Sequence, residues 1–134
     1  MKIEGVKHIG IAVADLDACI AKFENVLGLK CRLRKRVESN KVEVAVFDCG
    51  GTSLELVAPT DETSPVHRFV AKGGNSLHHI CFRVDEIDRW LTFLESEGAD
   101  LIDRKPRTGA FGDCIAFVGP KSVCNFLIEL AEEA

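Results

Sequence analysis

The chain repeats itself, and this repeat constrains the fold more than any other feature of the sequence. A shift of 71 residues places His8 on His79 and Asp17 on Asp88, so that HIGIAVADLDACIAKFENVLG matches HICFRVDEIDRWLTFLESEGA. Chance coincidences of Val and Leu are common, but a histidine and acids matched in the same order are not. We therefore interpret the chain as two copies of one structural unit.

Each copy shows the same succession of patterns. HIGIAV alternates like a strand, Asp15 is a helix N-cap residue, and Gly28 ends the helical spacing that follows. Between the copies, Ser64 and Pro65 indicate the start of a short helix. The predicted strands are 8–13, 30–37, 42–49, 52–58, 78–84, a weak one near 100–103, 113–118 and 125–131, and the predicted helices are 16–27, 64–72 and 86–97.

These elements predict an α+β fold of two tandem βαβββ modules. Such a module makes a small curved sheet with a helix on one face, and two modules can pair as a mixed sheet around a shared cleft. We expect one domain over 1–134, with the first repeat at about 3–60, a connecting helix at about 64–73 and the second repeat at about 76–132. The glycine-, proline- and arginine-rich stretch 104–112 is predicted to be a loop.

Composition excludes several classes of protein. A net charge of −4 is opposite to the basic excess of an electrostatic nucleic-acid binder. No apolar run approaches the roughly 18 residues of a membrane span, and MKIEGVKH has no secretory pattern, so we expect a cytoplasmic protein. The six cysteines form no C-x-x-C pair, and most are predicted to be small buried hydrophobic residues without disulfides.

Four residues at repeat-equivalent places carry the chemistry: His8 and Glu55 in the first copy, His79 and Glu129 in the second. Each interrupts an otherwise apolar strand, where a lone buried charge is costly. Taken singly, each could be a solvent-facing strand residue. Taken together, two imidazoles and two carboxylates predict a mixed nitrogen and oxygen site for Co, Ni, Zn, Mn or Fe.

Other polar residues have two open interpretations. Glu43 lies in NKVEVAVFD and is a candidate base if its strand face looks into the cleft; otherwise it is an exposed carboxylate. Arg32, Arg34 and Arg36 alternate along a strand, which indicates a solvated face or a contact to phosphates of a nucleotide-bearing thioester. Lys121 in the GPKS turn is an alternative phosphate contact.

The stretches HIGIAV, LELVAPTDETSPVHRFVAKGG, LHHICFRVDEID and LIDRKPRTGAFGDCIAFVGPKSVCNFLIEL resemble the vicinal oxygen chelate superfamily, and within it the methylmalonyl-CoA epimerases. The resemblance covers nearly the whole chain. It implies a divalent metal, with Co²⁺ favoured and Ni²⁺, Mn²⁺ or Zn²⁺ as alternatives, bound by His8, Glu55, His79 and Glu129. It also implies that Glu43 and Glu129 are catalytic carboxylates.

The implied activity is an isomerase reaction on an acyl-CoA thioester. A proton leaves C2 of methylmalonyl-CoA and returns on the other face, through a metal-stabilised enolate. Two alternatives remain from the sequence: a glyoxalase I-like lactoylglutathione lyase or another enzyme of this superfamily, and a non-catalytic protein of the same fold that binds a small ligand. We expect a homodimer and no nucleic-acid or membrane partner.

Overall fold

The computed structural model describes residues 1–134 and divides into two compact units. The first unit is His8–His78, and the second combines Met1–Lys7 with His79–Ala134. Strand β1 (Ile3–Ala12) begins in the second unit and continues into the first. Each unit is therefore built around part of the same strand.

The first unit follows the predicted element order closely. Its elements after β1 are α1 (Leu16–Leu27), β2 (Cys31–Val37), β3 (Val42–Cys49), β4 (Thr52–Pro59) and α2 (Pro65–Gly73). The strands have the order β2-β3-β4-β1, with β4 parallel to β1 and the other neighbours antiparallel.

The second unit repeats this order. Its elements are β5 (Ser76–Val84), α3 (Ile87–Ser96), β6 (Arg107–Thr108), β7 (Cys114–Val118), a 3₁₀ turn (Pro120–Ser122) and β8 (Ile128–Glu132). The strands have the order β5-β8-β7-β6, with the start of β1 beside β5, and β5 is parallel to β8. The α+β class and the paired βαβββ modules are thus confirmed.

The two equivalent helices begin in different ways. In α1, the Asp15 side chain accepts the Ala18 N–H, and Gly28 adopts the left-handed conformation that closes the helix. In α3, Glu86 makes no capping hydrogen bond, and a carboxylate oxygen of Glu132 accepts the Ile87 N–H at 2.9 Å instead. The start of α3 is therefore tied to the strand on which it packs.

The weak strand predicted near 100–103 is wrong in its extent. Leu101 makes one isolated bridge, to Val118, and the strand that pairs with β7 on the side away from β8 is the two-residue β6, inside the stretch predicted to be a loop. The Asp103 carboxylate accepts the Phe117 N–H at 2.8 Å, and Pro106 has no N–H to donate. A side chain thus replaces part of the backbone ladder.

The cysteine prediction is also partly wrong. All six cysteines are free, and Cys81 is fully buried, but Cys49, Cys114 and Cys124 are exposed. Cys49 ends β3 and Cys114 begins β7, so strand ends bring them to the surface. Apolar neighbours in sequence do not imply burial at the end of a strand.

Candidate functional site

The first unit contains a buried imidazole–carboxylate pair. His8 Nδ1 lies 3.1 Å from Glu55 Oε2, and both side chains are almost completely buried. Strands β1 and β4 place them together, because Gly10 is the direct partner of Glu55 and His8 is two residues before Gly10. Alternate residues of a strand share a face, so His8 and Glu55 project from the same side of the sheet.

The second unit contains an equivalent pair. His79 Nε2 lies 3.3 Å from Glu129 Oε1, and both side chains are again buried. Here β5 and β8 supply the residues, because Cys81 is the partner of Glu129 and His79 is two residues before Cys81. The fold therefore repeats the pair as well as the strand order.

In both units the pair lies on the sheet face opposite the first helix of the module. Helix α1 packs against Ala45, Phe47 and Leu56, which alternate with the residues on the face of Glu55. Helix α3 packs against Val84 and Leu130, which alternate with those on the face of Glu129. Helices α1 and α3 thus cover the face opposite the pair. In the first unit, Val66 of α2 also packs on the face of Glu55, against Val46 and Val57.

The expectation that Glu43 shares this polar face is wrong. Glu43 is the direct partner of Ala58, and Ala58 packs with helix α1. Glu55 is three residues before Ala58, so the side chains of Glu43 and Glu55 project from opposite faces of the sheet. The alternation of β3 places Glu43 with Ala45 and Phe47, as the structure does, but it left open which face looks away from α1.

Glu43 is instead part of an ion-pair cluster next to α1. Arg34 Nη2 lies 3.2 Å from a Glu43 oxygen, and Arg34 Nη1 lies 2.8 Å from a carboxylate oxygen of Asp17 in α1. The pKa of the Arg34 guanidinium is raised, chiefly because it donates a hydrogen bond to Asp17 and also because it donates one to Glu43. This cluster links the helix to β2 and β3.

The other cations predicted to contact phosphate are placed differently from one another. Arg32 pairs with Asp48 at 2.9 Å, and Arg36 lies 3.9 Å from Glu38. The β2–β3 register is irregular between Cys31 and Leu33, so the three arginines do not form one regular row. Lys121 is exposed on the 3₁₀ turn after β7.

One residue beside the second pair, Phe117, was not a candidate from the sequence. The Phe117 ring contacts the His79 ring edge to face, with centroids 5.8 Å apart, and Arg107 Cζ lies 5.6 Å from the Phe117 centroid. Phe117 is the direct partner of Glu129 across β7 and β8. Only this register shows that Phe117 is on the face of Glu129, since CIAFV alone does not say which face is polar.

An ion-pair network occupies the end of the same unit. Glu133 accepts a hydrogen bond from Arg83 at 2.9 Å and one from Lys7 at 3.1 Å, and Lys7 also pairs with Asp113 at 2.8 Å. The Arg83 and Lys7 hydrogen bonds hold the pKa of the Glu133 carboxyl below its usual value. Two cations and two carboxylates thus balance one another near the end of β8.

Comparison with known proteins assigns the family. The model of the glyoxalase/bleomycin resistance protein/dioxygenase superfamily matches residues 7–117. The chain belongs to this superfamily. The resemblance inferred from the repeated histidines and glutamates is confirmed, and the superfamily fold agrees with the two modules described above.

Three relatives of this superfamily member illustrate the likeness. The uncharacterised protein YqjC of Bacillus subtilis is 44% identical over 93% of this chain and 89% of its own length. The ethylmalonyl-CoA/methylmalonyl-CoA epimerase of Cereibacter sphaeroides is 32% identical over 95% and 96%. A Streptomyces coelicolor methylmalonyl-CoA epimerase variant, solved with 2-nitronate-propionyl-CoA, is 30% identical with a TM-score of 0.93, and the match covers 99% of this chain and 96% of that one.

The helices of this superfamily member are too short and too polar for any of them to cross a bilayer.

Proposed function

We propose that the chain is a divalent-metal-dependent epimerase of methylmalonyl-CoA. The observation that carries the proposal is the buried His–Glu pair that each module holds on the face away from its helix. Relatives named as methylmalonyl-CoA epimerases match along nearly the whole chain, which supports the choice of substrate.

The donor set fits a divalent metal ion. His8, His79 and Glu129 each offer one donor atom and are buried, and Glu55 supplies a second carboxylate. Two ionised carboxylates carry a charge of about −2, which a divalent cation balances and an apolar interior does not. We propose that these four residues hold the metal together.

The reaction requires two acid–base groups, because the proton leaves C2 on one face and returns on the other. When bound, the metal supplies Lewis-acid stabilisation of negative charge on the thioester oxygen. Glu129 is one base of the proposal. Since Glu43 lies on the α1 face, Glu55 takes the place of the second base, at the repeat-equivalent position.

The proton transfers follow from these two positions. One carboxylate accepts the C2 proton while the C–H electron pair moves towards the thioester carbonyl. The opposite carboxyl group donates a proton to C2, which gives the other epimer. Both glutamates lie in strands with their side chains buried, so each is held in place and shielded from bulk water.

The finer features of the proposal concern metal, assembly and location. We propose Co²⁺ as the metal, before Ni²⁺, Mn²⁺ and Zn²⁺, and Lys121 as a contact to the phosphates of CoA. A homodimer is supported by exposed apolar side chains such as Ile3 and Leu77, and a cytoplasmic location by six free thiols. Metal analysis of the purified protein tests the choice of metal, and sedimentation tests the homodimer.

The deciding experiment follows proton–deuterium exchange at C2 of methylmalonyl-CoA by NMR in D₂O. Metal-free protein and protein with added Co²⁺ are compared. We expect exchange with loss of optical purity only after metal is added. Absence of exchange with metal bound rejects the substrate, and turnover of a glutathione thiohemiacetal would then assign a glyoxalase activity.

A further inference from the structure

A cation lies next to the second His–Glu pair, and neither the metal site nor the proton transfers use it. Arg107 in β6 is the direct partner of Ile115, which in turn is the partner of Ala131. Ala131 is two residues after Glu129, so Arg107 belongs to the sheet face of Glu129. This face differs from the one covered by α3.

The Arg107 side chain is held on two sides. Its Nε donates a hydrogen bond to Asp103 Oδ1 at 3.1 Å, and its guanidinium lies over the Phe117 ring. Asp103 is fixed in turn, because its other oxygen accepts the Phe117 N–H. Phe117 also contacts the His79 ring, so the guanidinium and the imidazole are neighbours of the same aromatic ring.

The outer end of the guanidinium remains open. The side chain is 42% exposed, and Nε alone contacts a carboxylate of the protein. The Nη1 and Nη2 groups are parallel donors whose geometry matches a carboxylate or a phosphate. A guanidinium fixed at one edge and open at the other loses little freedom when it binds an anion.

We propose that Arg107 binds the free carboxylate of the substrate and so selects 2-carboxyacyl thioesters over uncharged acyl thioesters. The inference rests on the proposed function and adds to it a residue that determines specificity. Its place against the ring that also contacts His79 suits a group attached to the reacting carbon better than a remote part of the ligand. The phosphates of CoA offer the same anionic chemistry, and the experiment separates the two sources.

The test measures binding and needs no turnover. Calorimetry of the metal-loaded protein gives Kd for methylmalonyl-CoA, as the mixture of epimers, and for propionyl-CoA, which lacks the carboxylate. We expect Arg107→Ala to weaken binding of methylmalonyl-CoA roughly 10- to 100-fold, the loss typical of charge-assisted hydrogen bonds, and to leave propionyl-CoA unchanged. Arg107→Lys should keep part of the preference.

Arg104→Ala is the matched control. Arg104 lies three residues away, pairs with Glu95 of α3 and is 78% exposed, so its loss removes the same charge from a different contact. We expect this variant to bind both thioesters like the wild type. Thermal unfolding and metal content of each variant show whether Arg107→Ala has disturbed the fold.

Three results would overturn the inference. Equal binding of methylmalonyl-CoA by Arg107→Ala and Arg104→Ala shows that Arg107 contacts no anion of the ligand. An equal loss for both thioesters assigns Arg107 to the phosphates of CoA. Failure of the wild type to prefer methylmalonyl-CoA removes the selectivity itself. Failure of the proposed epimerase function appears separately, as absence of C2 exchange in the wild type.

Discussion

The two modules bury equivalent His–Glu pairs in different surroundings. His8 meets Glu55 through Nδ1, whereas His79 meets Glu129 through Nε2. The direct partner of Glu55 in β3 is Val46, while Glu129 has Phe117 as its direct partner in β7. Duplication has preserved the paired donors but not the side chains around them.

The difference indicates how the work is divided between the modules. Each copy holds a buried imidazole and a buried carboxylate, and the proposed metal site and the proposed pair of bases both require these groups. In the second module Arg107 lies over the Phe117 ring, and this contact positions the guanidinium for the recognition of the substrate carboxylate that we propose. Substitutions in equivalent positions can therefore separate chemistry from recognition.

The largest expected effect comes from replacing each of the two glutamates by glutamine, one at a time. Glu55→Gln and Glu129→Gln should each reduce epimerisation by roughly 10²- to 10⁴-fold, because each removes one of the two bases. Each variant should still exchange the C2 proton of one epimer with D₂O, and the two variants should act on opposite epimers. NMR with each epimer separately measures this.

The contrary outcome for Glu55→Gln has a clear meaning too. Full epimerisation by Glu55→Gln would show that Glu55 is a ligand without a role in proton transfer. The modules would then differ in their chemistry as well as in their surroundings. Metal content of both variants is the control, because loss of the ion would abolish exchange in either case.

Removing the core contact of each helix tests whether the modules are equally stable. Leu16 of α1 and Leu91 of α3 are both buried against their own strands. Leu16→Ala and Leu91→Ala should each lower the free energy of unfolding by about 2–5 kcal/mol, through lost burial and the cavity left behind. Urea denaturation measures the loss.

Val26→Ala is the control for this pair, since Val26 in α1 is 71% exposed and its truncation should cost less than about 0.5 kcal/mol. If Leu16→Ala proved as mild as Val26→Ala, α1 would not depend on the contacts that place it over β3. The face assignment of the first module would then lose its support.

A smaller effect is expected from Glu43→Gln, which tests the two faces of the first module directly. Glu43 pairs with Arg34 beside α1 and lies on the opposite face from Glu55. The variant should keep its metal and its epimerase activity, and should lose less than about 1 kcal/mol of stability, as is usual for a partly exposed ion pair. A loss of activity comparable to that of Glu129→Gln would contradict the face assignment.

These residues also show what the sequence could and could not predict. Helix α1 was predicted to its ends, because Asp15 and Gly28 act through hydrogen bonds within a few residues. The repeat compares distant positions within one chain and so singled out the four metal-ligand candidates, which the structure brings together as two buried His–Glu pairs. The face of Glu43 was not found, because alternation along β3 does not say which side the helix covers.

The failures in the second module have the same physical origin. The strand expected near 100–103 is interrupted because the Asp103 carboxylate takes a backbone N–H of β7, a contact made over 14 residues of chain. Arg107 was seen only as one of several basic residues in a loop. Its position over Phe117 depends on the pairing of β6, β7 and β8, which no local pattern encodes.

The smallest expected effect concerns pH and the ion pairs at the end of β8. The pKa of Glu133 is lowered in the folded protein by Arg83 and Lys7, so the folded state binds fewer protons than the unfolded state. This stabilisation is complete above the unfolded pKa and is lost as pH falls through the folded pKa. Glu133→Gln should therefore unfold more easily than the wild type at neutral pH, with a difference that shrinks between about pH 5 and pH 3.

Glu4→Gln removes an exposed carboxylate of β1 that makes no ion pair, and it should show no such convergence. Because Glu133 is itself half exposed, solvent screens its ion pairs and the effect is expected to be small. Urea unfolding at several pH values measures both variants. A difference between Glu133→Gln and the wild type that stays constant with pH would mean that Glu133 stabilises the end of β8 through packing or hydrogen bonds that survive protonation.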